Sequence, residues 1–187
     1  MPERQPRADA VRNRQRVLAA ARDAFAESGP AVSLDDVARR AGVGPGTVHR
    51  HFPTKDALFA AVIEDRLRQL GVRAEALTTA PNPGAAFFEF FHDLAGEAAQ
   101  NLALSAALTD PANLGESIHA AGAALEAALS HLLTRAQTAG AVRPDLTTRE
   151  LHAVIAGALV MEQRLPDSSK GRGLRLVADG LSPHASA

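Results

Sequence analysis

The sequence predicts an all-α fold of about nine helices. Three observations carry that prediction. Ala and Leu dominate the 187 residues. Apolar positions recur three and four apart, and Val and Ile rarely alternate with polar neighbours. Breaker clusters such as Ser28-Gly29-Pro30 and Thr78-Thr79-Ala80-Pro81-Asn82-Pro83-Gly84 divide the chain into helix-length pieces.

Each element has its own local reason. The first helix, about Ala10–Glu27, places Val17, Leu18, Ala21, Ala24 and Phe25 on one face, and Gly29-Pro30 stops it. The second, about Leu34–Ala41, opens with Ser33 as cap and Asp36 at the third position of a capping box, and Gly42 ends it. The third, about Pro45–His51, starts with proline where a first turn accepts it. The fourth, about Lys55–Leu77, turns Leu58, Phe59, Val62, Ile63, Leu67 and Leu70 inward. After the breaker cluster come a fifth helix, about Ala85–Gln100, and a sixth, about Leu102–Leu108, closed by Asp110-Pro111. A long seventh, about Asn113–Thr138, carries Ile118, Ala121, Leu125, Leu129, Leu132 and Leu133, with Gly140 beyond its end. Thr147-Thr148-Arg149-Glu150 is a second capping box and opens the eighth, about Thr148–Arg164. The ninth spans about Lys170–Leu181.

Composition narrows the function. With 46% hydrophobic and 22% charged residues the chain has the makings of an ordinary soluble core. It has no Cys, which excludes a disulfide framework, a thiol nucleophile and a cysteine zinc site. No apolar run approaches the roughly 18–20 residues of a membrane span, and the polar, Arg-rich start does not resemble a secretory signal, so a cytoplasmic location is expected. The net charge of −1 is unevenly spread: residues 1–80 carry 13 Lys+Arg against 10 Asp+Glu, and residues 81–187 carry 7 against 11. A basic front on a mildly acidic body suits a nucleic-acid reader with a separate sensing half, and equally a solvated basic tail.

The stretch from Ser33 to Val62 is the most informative. A short helix, a Gly-centred turn and a second short helix form a helix-turn-helix layout. Val37, Ala38, Val43, Val48 and Phe52 lock the two helices, which leaves Pro45, Gly46, Thr47, His49, Arg50 and His51 outward. A short helix with outward polar groups fits a DNA major groove.

The segments Phe25-Ala26-Glu27-Ser28-Gly29, Ser33-Leu34-Asp35-Asp36-Val37-Ala38, Ala41-Gly42-Val43 and Gly46 through Phe59 resemble the helix-turn-helix of the TetR/AcrR family of bacterial repressors. The resemblance covers about the first third of the chain. It implies an N-terminal three-helix helix-turn-helix DNA-binding domain with its basic tail (1–57), a connecting helix (58–80) and a C-terminal helical ligand-binding and dimerisation domain (81–187). It further implies a ligand-responsive homodimer on double-stranded, palindromic operator DNA, without enzymatic activity or cofactor; the spacing of the histidines offers no ligand cluster, so no metal is expected. By the same resemblance Thr47, His49 and Lys55 contact phosphates and Ser33 caps the second helix beside the backbone. The alternatives are local capping for Thr47, packing for His49, solvation for Lys55 and a structural role for His51 and Phe52. His49 departs from the family, which usually has Tyr there. The nearly side-chain-free Gly44-Pro45-Gly46 shifts base reading toward Arg50, backbone approach and DNA shape.

In the second half, Phe87, Phe88, Phe90 and Phe91 gather four of seven Phe residues on one helix. Simple core packing explains them; so does the wall of a pocket for a small, mostly apolar effector. On the second reading Phe87, Phe91, Leu104, Leu108 and Leu125 line it, with His92 and His119 as polar candidates. Leu151, Ile155 and Leu159 on the eighth helix and Leu174 and Val177 on the ninth read as a dimer surface, or as a cover for the chain's own core. A helical enzyme finds no support in the sequence: the seven His are scattered and not paired with carboxylates at any recognisable spacing, and no Gly-rich phosphate loop, His-Glu-x-x-His or Gly-x-Ser-x-Gly motif is present. A DNA binder without a ligand stays open.

Overall fold

The structure, a computed structural model, describes residues 4–100, 115–169 and 171–183. Among the described residues stand eight α-helices: α1 (Arg4–Ser28), α2 (Leu34–Ala41), α3 (Pro45–His51), α4 (Lys55–Leu77), α5 (Pro83–Gln100), α6 (Glu116–Thr138), α7 (Thr148–Arg164) and α8 (Arg172–Leu181). No strand occurs among the described residues. The expected helix over Leu102–Leu108 lies outside them, and α6, α7 and α8 correspond to the seventh, eighth and ninth expected helices.

Four starts differ from the sequence reading, that of α6 at Glu116 rather than near Asn113 among them. α1 begins at Arg4 rather than near Ala10, so the basic segment read as a tail continues a helix. α5 begins at Pro83 because the Asn82 carboxamide oxygen accepts the Ala85 N–H at 3.0 Å and proline occupies the first turn. α8 begins at Arg172, with its cap supplied from another helix. Gly171 has no side chain to offer, and the buried Glu162 carboxylate of α7 accepts the N–H groups of Gly171 at 2.7 Å and Leu174 at 3.1 Å. A carboxylate at a helix N-terminus satisfies orphan donors and matches the dipole. Gly173 makes that approach possible, since a Cβ there would lie 2.5 Å from Met161 Cε and 2.8 Å from Glu162 Oε1.

The buried residues form two clusters. The first joins Val17, Leu18, Ala21, Ala24 and Phe25 of α1 to Val37 and Ala38 of α2, Val48 of α3, and Leu58, Ala61 and Val62 of α4. The second is built from α4 to α8, with Ile63, Leu67, Leu70 and Ala74 as the α4 share. α4 therefore has its first turns in one core and its later turns in the other. Phe59, half-buried, packs against both and meets Phe25 edge-to-face at 5.3 Å between centroids. α4 packs most extensively along α6. Arg135 of α6 donates to the carbonyls of Thr78 and Ala80, tying down the end of α4. Arg66 and Arg73 of α4 pair with Glu97 and Asp93 of α5.

Candidate nucleic-acid interface

The reading head is built by local chemistry first. The Ser33 hydroxyl accepts the Asp36 N–H at 3.1 Å and donates to the Asp36 carboxylate at 2.7 Å, while the Ser33 N–H reaches the same carboxylate at 3.4 Å. These hydrogen bonds from Ser33, side chain first and backbone second, hold Asp36 below its ordinary value. The box sets the start of α2. Its end is set by Gly42, whose φ of +64° is the left-handed region and whose N–H reaches the carbonyls of Ala38 and Arg39. A side chain at Gly42 would also meet the Arg16 guanidinium at 2.8 Å, which lies over the turn and reaches the Gly42 carbonyl at 3.4 Å.

α3 then leaves the turn with Pro45 in its first turn and Val48 fully buried beneath it. Phe52 closes it, buried, with its N–H on the Val48 carbonyl at 2.8 Å. The Arg14 guanidinium of α1 stands 5.6 Å from the Phe52 ring centroid, a cation–π contact that fastens α1 to the end of α3.

The residues expected to face DNA lie on this one head. Pro45, Gly46, His49, Arg50, His51 and Lys55 are exposed, Thr47 is half-buried, and Ser33 is exposed and engaged as a cap. Lys55 opens α4, whose cap is the Thr54 hydroxyl accepting the Ala57 N–H at 3.1 Å. The neighbouring arginines are committed elsewhere: Arg39 to Asp36, Arg40 to Glu27 and Arg12 to Asp9. Sequence reasoning missed one contact. The His49 imidazole Nε2 lies 3.2 Å from Asp35 Oδ1 on α2. The two residues are fourteen apart, and no local pattern marks them as partners.

In the second half the structure bears on two readings that the sequence left open. Phe87, Phe90, Phe91 and Leu125 lie in the second core, the three Phe rings fully buried and Phe87 stacked on Phe91 at 6.5 Å. His92 and His119 are exposed and are not brought to that cluster. His92 follows Phe91 by about 100° of helical turn and borders a surface cleft with Arg172, Arg175 and Leu176. His119 Nδ1 lies 3.2 Å from the Gly115 carbonyl. Leu104 and Leu108 lie outside the described residues. The second concerns the row read either as a dimer surface or as a cover for the chain's own core. Leu151, Ile155, Leu159 and Leu174 are buried in the chain's own core and Val177 packs half-buried against it, so this row is a core face. The outer face of α7 instead exposes Ala153, Gly157 and Val160, and α8 exposes Leu176 at 63%.

A capped two-helix head with an outward short helix, joined by one long helix to a larger helical body, is the architecture of a helix-turn-helix transcription regulator. Residues 17–62 match the family described as bacterial regulatory proteins, tetR family, and residues 82–183 match the SbtR-like transcriptional regulator C-terminal domain. The chain belongs to the TetR family of transcriptional regulators. Among solved structures, a TetR transcription regulatory protein from Mycobacterium vanbaalenii is 46% identical, with 94% of this chain and 98% of that one covered and a TM-score of 0.72. The TetR regulator SCO0520 of Streptomyces coelicolor is 32% identical, with 92% and 99% covered and a TM-score of 0.74. The HTH-type transcriptional repressor Rv3405c of Mycobacterium tuberculosis is 53% identical over 49 residues, which is 26% of each chain.

Proposed function

We propose that the protein is a homodimeric, cytoplasmic repressor that holds a palindromic operator through α3 and is released from it by a small, mostly apolar effector. The observation that carries this reading is the division of α4 between two cores, with Phe59 packed against both. A rigid helix shared by a reading head and a sensing body couples their positions. A few ångströms of displacement in the body then alter the separation of two heads that must match a groove repeat of about 34–36 Å.

In this reading Arg50 reads a base edge, Lys55, Thr47 and His49 hold phosphates, and the exposed N-terminal dipole end of α4 adds to the phosphate site. Phe87, Phe91 and Leu125 would border the effector, with Leu104 and Leu108. The outer faces of α7 and α8, through Gly157, Val160 and Leu176, meet their copies in the dimer. Repression fits the Mycobacterium tuberculosis relative, a transcriptional repressor matched over the reading head.

Full burial of Phe87, Phe90 and Phe91 favours a second reading, in which the body is a closed core and the protein binds DNA without a ligand. One experiment separates the two. A duplex selected by the protein from a random pool is titrated with and without a panel of apolar small molecules that raise the melting temperature. The effector reading expects DNA affinity to fall at least about a hundredfold, which needs about 2.7 kcal/mol of differential binding. Unchanged affinity with every stabilising compound leaves the constitutive reading.

A further inference from the structure

We propose that Asp35 positions His49 and thereby makes the phosphate contact of α3 conditional on taking up a proton. The inference rests on the reading of α3 as the DNA-facing helix and adds a residue of α2 to it.

The geometry is simple. His49 Nε2 and Asp35 Oδ1 are 3.2 Å apart, and both side chains are more than half exposed, at 52% and 72%. Asp35 sits in the first turn of α2, whose start is set by the Ser33–Asp36 box, so its backbone is placed by that cap. A carboxylate only accepts hydrogen bonds, so the nitrogen facing it must carry the hydrogen. In the neutral imidazole this assigns the single N–H to Nε2 and leaves Nδ1 as a bare lone pair. A phosphate oxygen is also only an acceptor. Neutral His49 therefore serves Asp35 and repels a phosphate. Protonated His49 has two N–H groups and serves both.

The pair has a second consequence. Without the proton, Asp35 presents an uncompensated negative charge on the face that approaches a polyanion. With it, the Asp35–His49 pair is neutral. Both effects act in the same direction, so DNA binding draws a proton onto His49. Free in solution the pair contributes little, as exposed ion pairs do, and its influence is felt when phosphate arrives. The other charged groups of the neighbourhood are already matched or carry fixed charge. On α2, Asp36 is engaged by Ser33 and Arg39, and Arg40 by Glu27. On α3 itself stand Arg50 and His51, and α4 opens with Lys55 and Asp56. His51 is the only other titrating group on α3, and it serves as the control.

The test is operator affinity against pH at fixed ionic strength, by fluorescence anisotropy on a duplex selected by the wild-type protein from a random pool. Wild-type affinity should rise from pH 8 to pH 6, by at most about tenfold per unit for each proton taken up. Asp35→Asn should bind more tightly than the wild type at pH 8 and show a shallower profile, because a neutral amide, which can turn its oxygen or its N–H toward Nε2, no longer holds the hydrogen on that nitrogen. His49→Gln should be flat, and His51→Gln should keep the wild-type slope. Nitrogen chemical shifts of the free protein give a readout independent of DNA: the Nε2–H tautomer in the wild type, shifting toward Nδ1–H in Asp35→Asn. A wild-type slope that survives in Asp35→Asn or in His49→Gln overturns the proposal. Arg50→Ala keeps the two levels distinct. If it leaves affinity unchanged, the reading of α3 as the DNA-facing helix fails; if it weakens binding while the slopes persist, only the role of Asp35 fails.

Discussion

Arg50 and Lys55 sit five residues apart on the same head, yet they are expected to fail differently. Arg50 is an exposed guanidinium on the outward face of α3, where a fork of donors suits a guanine edge. Arg50→Ala should cost about 1–3 kcal/mol and relax preference at one position in each half-site. Lys55 opens α4 at the positive end of the helix dipole. Lys55→Ala should weaken all sequences alike and reduce the salt slope by about one ion. Competition binding on selected and scrambled duplexes at several salt concentrations separates the two. Equal losses on every sequence from both variants would place Arg50 with the phosphate contacts. The capping carboxylates make a pH prediction at the same scale. Asp36 and Glu150 are held below their ordinary values by the hydrogen bonds of Ser33 and Thr147. A carboxylate depressed in the folded state adds stability that is complete above its unfolded value and lost as pH falls through the folded one. The melting temperature should therefore decline on acidification through and below the normal carboxylate range. Asp36→Asn should flatten that decline, and a slope unchanged from the wild type would count against the capping account.

Among the elements, α8 depends on a neighbour for its start. Ten residues make a helix too short to hold itself in water, and its cap is the Glu162 carboxylate rather than any residue of its own. Glu162→Ala leaves the Gly171 and Leu174 donors without that partner, at about 1–3 kcal/mol. Hydrogen exchange should then accelerate across α8 while α1 to α3 keep their protection, since the reading head has its own core. Uniform acceleration over the whole chain would mean that the two cores unfold as one. Gly173→Ala is expected to behave similarly, because its Cβ would displace Met161 or Glu162. Its neighbour α7 shows that helical periodicity alone leaves two roles open for an apolar row. Leu151, Ile155 and Leu159 form a convincing apolar row, and a row of that kind is equally a core face.

For the whole molecule, burial turns two substitutions into opposite predictions. Ile155 is 3% exposed in the single chain. Ile155→Lys buries an unpaired ammonium and should destabilise the fold outright, visible as a collapse of the melting transition. Val160 is 40% exposed and Leu176 63%. The double change Val160→Glu, Leu176→Glu should leave the fold intact and shift the protein from dimer to monomer by light scattering, with tight operator binding lost because one head covers one half-site. A dimer that survives this pair would move the contact to another face. Phe91→Ala, in the fully buried cluster, should destabilise by about 3–5 kcal/mol.

The sequence by itself determined the helices and the reading head. Both rest on signals within a few residues of one another: the Ser33–Asp36 and Thr147–Glu150 boxes, the left-handed Gly42, Pro45 in a first turn, and the Val37, Ala38, Val48 and Phe52 positions that lock α2 to α3. Such features act through backbone hydrogen bonds of one turn, so they are written in the order of the residues. Only the tertiary structure decided which apolar face of α7 looks inward, that His92 and His119 stand outside, that Glu162 caps a helix it does not belong to, and that Asp35 meets His49. Those outcomes depend on which helices become neighbours. That is settled by the sum of many small burials over the whole chain, in which the contribution of any one residue pair is too weak to leave a local mark.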